Sequence, residues 1–299
     1  MKLDILFIRH AFSCANAWGK KSKGSQWKYA DPELTTVGID TSEKTSSKLL
    51  DTLHDLWGDN EFTIGASQMI RTQETAYYML AKPLGNPNSI IIMPYIGEPG
   101  SGYDNWAFPR EKQLKIMGTR NPDILNYFGE DKSEKQLLGN KSNPSWFIDW
   151  VTKNPNLFAQ GNDGYYRAVI FTHSIFLKKW FGLSSIKNNN AVRMKFNTDG
   201  IEVETKPNYL NPYNHTKMEF MESSEPIDLV GNLEVSNKCP DECRKTVCSA
   251  PSSMLEINVT NINQPFYSMF GNTKKRGRIP KNIVGGSRSR LKAHTKRIR

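Results

Sequence analysis

Leu3-Asp4-Ile5-Leu6-Phe7-Ile8-Arg9-His10 is a run of apolar residues broken once by an aspartate and closed by an arginine and a histidine. A short, nearly continuous apolar run suits a strand buried on both faces. Open α/β sheets keep their chemistry at the C-terminal edge of such strands, which is where Arg9 and His10 would stand. Two later stretches end the same way. Residues 62–66 lead into Ser67 and a segment in which Met69, Thr72, Ala76, Met79 and Leu80 fall at helical spacing, with Ser67 as the candidate N-cap. Residues 168–172 lead through His173-Ser174 into a helical stretch, 175–181. A further strand is expected over 90–93, and a terminal hairpin over 191–196 and 200–204, turning at 197–200. Between 104 and 164 the strand signal lapses, and helix-favouring stretches at 109–117 and 146–151 suggest an insertion over the sheet edge.

A chain of 299 residues with 37% hydrophobic residues can bury a sizeable core. Its mean hydropathy of −0.58 assigns much of the rest to loop or tail. The net charge of +10 is local. Residues 273–299 hold eleven of the 40 cations and no acidic residue, which leaves 29 cations against 30 acidic residues elsewhere. The basic pI therefore belongs to a tail and not to a basic catalytic domain. Four cysteines in a chain this long do not make a disulfide framework, so a reducing compartment fits. The N-terminus lacks the pattern of a signal peptide, and no stretch reaches the roughly 20 apolar residues of a spanning helix. The expected protein is soluble and intracellular, cytoplasmic or, through the tail, nuclear; the Asn-Xaa-Ser/Thr triplets at Asn140, Asn214 and Asn258 are then chance matches.

Three segments, in order, resemble the histidine phosphatase superfamily, also called the phosphoglycerate mutase-like family. Arg9-His10-Ala11-Phe12-Ser13-Cys14-Ala15-Asn16 is close to its Arg-His-Gly-x-Ser-x-x-Asn opening. The others are 67–76, which contains Arg71, and Phe171-Thr172-His173-Ser174. Asp31-Pro32-Glu33-Leu34-Thr35-Thr36-Val37-Gly38 is similar to the family's Asp-x-x-Leu-Thr-x-x-Gly element, and Glu98 sits where the family places an acidic residue. The resemblance spans about residues 3–204. It implies an α/β three-layer sandwich, with a mostly parallel central sheet and helices on both faces, that carries the insertion and an irregular basic C-terminal tail.

The resemblance also implies the roles. A phosphoryl group must have its oxygens held and neutralised before a nucleophile approaches. Arg9 and Arg71 offer planar forks for this, His173 adds a donor, and Ser13 and Asn16 lie close enough to His10 to donate further hydrogen bonds. His10 is the expected nucleophile, with one ring nitrogen fixed by a carbonyl and the other presented to phosphorus. Glu98 is the expected acid for the leaving oxygen and then the base for water. No metal or other cofactor is called for, and the substrate is a phosphorylated small molecule or phosphoprotein; free phosphate or vanadate should inhibit. Two departures from the pattern are Ala11, where glycine is usual, and Ser174, where glycine is common; the acid-phosphatase and phytase branch has aspartate at that place, so the resemblance points to the mutase/phosphatase branch. Phosphomonoester hydrolysis is the first reading. The alternatives are a phosphoglycerate mutase and a catalytically degenerate anion-binding scaffold.

The chain divides by this reading into a catalytic domain, 1–205, with its insertion at about 104–164, an irregular extension, 206–272, and a basic tail, 273–299. The tail suits non-specific contact with nucleic acid or an anionic surface through phosphates. It lacks the interleaved aromatics that stack on bases. Cys239, Cys243 and Cys248 lack the Cys-x-x-Cys knuckle of a zinc site.

Overall fold

The computed structural model describes residues 1–18, 30–100, 103–128, 142–183, 186–198 and 219–231. The first half runs β1 (Lys2–Arg9), α1 (Cys14–Trp18), α2 (Thr36–Trp57), β2 (Thr63–Ala66) and α3 (Ile70–Ala76), which passes through a π-helical turn (Tyr77–Ala81) into α4 (Lys82–Leu84). Then come β3 (Ile90–Ile92), a 3-10 turn (Tyr103–Asn105), α5 (Arg110–Arg120), α6 (Pro144–Lys153), β4 (Ala159–Gln160), β5 (Tyr165–Thr172), α7 (Ser174–Phe181), β6 (Ala191–Asn197) and β7 (Glu219–Ser223). The sheet order is β3-β2-β5-β1-β6-β7, with β4 alongside β5. β3, β2, β5 and β1 are mutually parallel; β6, β7 and β4 pair antiparallel.

Alternation along β1 builds the three layers, because successive side chains of a strand point to opposite faces. Leu6 and Ile8 pack with Leu49, Leu53 and Trp57 of α2 and with Met79 and Leu80. Leu3, Ile5 and Phe7 face the other way, onto Phe147, Ile148 and Val151 of α6 and Phe176 and Leu177 of α7. Each such fully buried side chain contributes roughly 1.5–3 kcal/mol relative to exposure. The aspartate that breaks the run is accounted for. Asp4 is buried, and it accepts two hydrogen bonds from Arg193, at 2.8 and 2.6 Å, and one from the Trp57 indole at 3.0 Å. A buried carboxylate is tolerable only when so paired.

The longest helix, α2, was not expected from the sequence. Its buried face is Gly38, Thr41, Ser42, Thr45, Ser46, Leu49, Leu53 and Trp57, so small hydroxyl residues occupy half the positions where apolar ones would mark the period. These hydroxyls are satisfied inside the helix: Thr41 donates to the Val37 carbonyl at 2.7 Å and Ser42 to that of Gly38 at 2.8 Å. Thr35 caps the helix, accepting from the Gly38 amide at 3.0 Å and donating to the Phe12 carbonyl at 3.0 Å. Gly38 is needed here because a Cβ at that position would stand 2.1 Å from the Phe12 carbonyl oxygen. Gly38→Ala is accordingly expected to destabilise the fold by about 2–3 kcal/mol through overpacking of backbone on backbone. Denaturant unfolding checks this; a loss under about 0.5 kcal/mol would contradict the contact.

Other expectations are corrected. β6 pairs with 219–223, and residues 200–204, the expected hairpin partner, fall outside the described residues. The sheet therefore extends past residue 205 into the expected irregular extension, and Ile227 continues the pairing with two hydrogen bonds to Ala191, at 2.7 and 3.1 Å. The helix after β2 starts at Ile70, with Met69 and not Ser67 at the N-cap position. The tail and Cys239, Cys243 and Cys248 lie outside the described residues.

Candidate active site

The parallel strands end level, and that alignment assembles the site. The His10 amide donates to the Thr172 carbonyl at 2.9 Å, that of Ser67 to Phe171 at 3.0 Å and that of Met93 to Ala66 at 2.8 Å, each bond extending a strand pairing by one residue. Arg9 closes β1 and His10 follows it. Arg71 lies in the first turn of α3 after β2, His173 sits between β5 and α7, and Glu98 lies on the loop beyond β3. Residues distant in sequence thus meet at the C-terminal edge of one sheet.

His10 and His173 meet edge to face, with ring centroids 5.2 Å apart, and both are buried. The His10 Nδ1 lies 2.7 Å from the Ala11 carbonyl oxygen. A carbonyl only accepts, so Nδ1 carries the proton and Nε2 keeps its lone pair. Burial holds the His10 imidazole well below the ordinary histidine range, and the charges of Arg71 and Arg9 push the same way. His173 is held down likewise, by burial first and then by Arg71, His10 and Arg9. Both rings are therefore neutral at neutral pH. Glu98 is nearly buried, and its Oε2 lies 3.9 Å from the His173 Nδ1. Burial raises its carboxyl above the usual range, against the pull of Arg71, Arg9 and the backbone amides of Ile175 and Phe176.

The two guanidinium groups are each anchored by one edge. Arg9 donates from Nη1 to the Ile186 carbonyl at 2.7 Å. Arg71 donates from Nη1 to the Asp104 carbonyl at 2.7 Å and from Nη2 to the Asn105 Oδ1 at 3.4 Å, so the first turn of the 104–164 insertion touches the site directly. Among the described residues, eight buried side-chain nitrogens and oxygens have no hydrogen-bond partner. Four of them are the Nε of Arg9, the Nε of Arg71, the Nδ1 of His173 and the Oε2 of Glu98. Unpartnered buried polar groups are costly and rare, and their concentration here marks a place shaped for a charged ligand. Among the described residues no group of three or more His, Cys, Asp or Glu is arranged to hold a metal ion.

Ser13 and Asn16 reach the same loop but bind each other. The Ser13 hydroxyl and amide both donate to the Asn16 Oδ1, at 3.1 Å each. Ala11, where the resemblance leads to an expected glycine, carries no backbone strain, since it is not among the non-glycine residues of positive φ. Its amide is held by the Thr75 hydroxyl at 3.0 Å. Cys14, beside this loop, is fully buried.

Sequence reading missed three bracing residues. Asn188, second of the polar run Lys187-Asn188-Asn189-Asn190 before β6, donates to the His10 carbonyl at 2.7 Å and the Ala11 carbonyl at 3.1 Å. Asp31 is buried at a φ of 48°, and it receives the Ile70 amide at 2.8 Å, the Phe108 amide at 2.8 Å and the Gln113 side chain at 2.6 Å. Gln113 ties the insertion to the residue that orients the start of α3. Only Asp31 left a signal, through its place in the 31–38 element.

Neither a family profile nor a curated protein matches the sequence. In structure the chain is similar to a phosphoserine phosphatase from Entamoeba histolytica solved with 3-phosphoglyceric acid, at 16% identity over 65% of this chain and 90% of that one, TM-score 0.36. It is also similar to a phosphoglycerate mutase from Bacillus anthracis, at 15% identity over 68% and 92%, TM-score 0.36. A third is a mycobacterial glucosyl-3-phosphoglycerate phosphatase, at 12% identity over 66% and 91%, TM-score 0.37. The α/β class stands on the sheet order and the three layers, and these three solved structures are two phosphatases and a mutase.

Proposed function

We propose that the chain belongs to the histidine phosphatase superfamily and hydrolyses phosphomonoesters through a phosphohistidine on His10. The observation that carries this reading is the cluster of buried, unpartnered polar atoms of Arg9, Arg71 and His173 around an imidazole whose Nε2 is bare. In the first step the His10 Nε2 bonds to phosphorus as the ester P–O bond breaks, and the Glu98 carboxyl gives its proton to the departing oxygen. Arg9 and Arg71 balance the charge on the non-bridging oxygens. In the second step Glu98 takes a proton from water, whose oxygen displaces the imidazole and releases phosphate. No step calls for a metal. Phosphate release from a panel of phosphomonoesters, with and without His10→Ala and in the presence of a chelator, tests the reading; loss of activity to the chelator, restored by zinc or magnesium, would contradict it. Strict dependence on a bisphosphorylated glycerate primer would instead identify a mutase.

Glu98→Gln keeps the shape and removes the transferable proton. The expected loss of kcat is about 100-fold for alkyl phosphates and much less for nitrophenyl phosphate, whose leaving group departs without help. An equal loss for both would remove Glu98 from the acid role. The tail, with eleven cations in 273–299, supports a separate electrostatic contact with nucleic acid or an anionic surface, one that weakens steeply with salt.

A further inference from the structure

Behind His173 stand two hydroxyls that the proposed reaction does not use. The Ser67 Oγ lies 2.8 Å from the His173 Nε2 and 2.9 Å from the Thr72 Oγ1. The Thr72 Oγ1 lies 2.7 Å from the Met69 carbonyl and 3.0 Å from that of Ser67. All three side chains are fully buried, so no solvent completes the pattern. Their protons can be counted, because each hydroxyl has one and a carbonyl has none.

Thr72 faces two carbonyls, and only its own proton can relieve those contacts, so it donates to one of them. The 2.9 Å contact between the two hydroxyls then requires the proton of Ser67. Ser67 has none left for the imidazole, and the proton in the 2.8 Å contact belongs to Nε2. The Met69 amide, 3.4 Å from the Ser67 Oγ, also finds it an acceptor. Had Ser67 donated to Nε2 instead, two buried oxygens would face each other at 2.9 Å with no proton between them, at the cost of an unmade buried hydrogen bond.

We propose that Thr72 and Ser67 are positioning residues that fix the tautomer of His173, placing its proton on Nε2 and leaving Nδ1 bare toward Glu98 and the anion site. Both imidazoles then present a lone pair to the ligand, from Nε2 of His10 and Nδ1 of His173. The first is the nucleophile; the second donates to a phosphate oxygen once it takes a proton from solvent as the anion binds. The inference rests on the phosphatase reading for its use, and on the proton count alone for its existence.

Nitrogen NMR of the 15N-labelled full chain at neutral pH reads the tautomer without any turnover. The wild type is expected to show His173 with a pyridine-type Nδ1 and a pyrrole-type Nε2. In Thr72→Val, which is nearly isosteric, the Ser67 proton turns to Nε2 and the imidazole proton moves to Nδ1, exchanging the two signals. Thr72→Ser restores the wild-type pattern. With nitrophenyl phosphate, Thr72→Val lowers kcat by about tenfold, the scale of one hydrogen bond, and Thr72→Ser recovers it. A wild type protonated on Nδ1, or a Thr72→Val spectrum unchanged from wild type, would overturn the proposal. No turnover in any variant, with the expected spectra, would overturn the phosphatase reading and leave the relay standing.

Discussion

His10→Ala is expected to lower phosphomonoester turnover by about 10⁴-fold or more, because in the proposed reaction it removes the atom to which phosphorus bonds. His173 is not expected to substitute for it, although the rings are 5.2 Å apart, since with Nε2 on Ser67 its free Nδ1 takes up a proton as the anion binds and then serves as a donor. The fold should survive. The side-chain hydrogen bond given up is the one to the Ala11 carbonyl, and the surrounding loop stays pinned by Asn188 and Thr75. Steady-state rates with nitrophenyl phosphate, beside denaturant unfolding of the same variant, separate the two effects. A fall of less than tenfold with the fold intact would move the nucleophile elsewhere.

Arg71→Lys has the second largest expected effect, about 10²–10³-fold in kcat/KM, although the charge is kept. A lysine ammonium is a point donor and does not reproduce a fork that rests on Asp104 and Asn105 while its Nε stays unpartnered. The loss should fall on KM and kcat together, since in the proposed reaction the guanidinium meets the phosphate in the ground state and in the transition state. Inhibition by orthovanadate should weaken in parallel. An unaffected vanadate constant would show that residue 71 does not touch the anion.

Much of this arrangement is legible in the chain, and the illegible part has physical causes. The buried strands β1 and β5 read clearly because both faces of each are covered, which leaves apolar runs that end in Arg9-His10 and Thr172-His173. Level strand ends then bring those residues together. Helix α2 stayed hidden because its inner face is written in serine and threonine, whose hydroxyls bond to their own helix. The pairing of β6 with 219–223 went unread since a hairpin needs only a local turn, whereas this pairing reaches across to residue 219. Asn188 was silent because an asparagine run reads as loop; its amide matters only once β6 lies beside β1. Ser67 looked like a helix cap, yet its hydroxyl is taken by Thr72 and His173, and the helix starts three residues later.

The proposed covalent intermediate is open to a direct test. Wild-type protein mixed with a reactive phosphomonoester and quenched in base within the first turnovers should carry one phosphoryl group, stable to alkali and lost in acid, on the peptide that contains His10. Recovery of the label on another residue, or a burst of product with no labelled protein, would contradict catalysis through this imidazole.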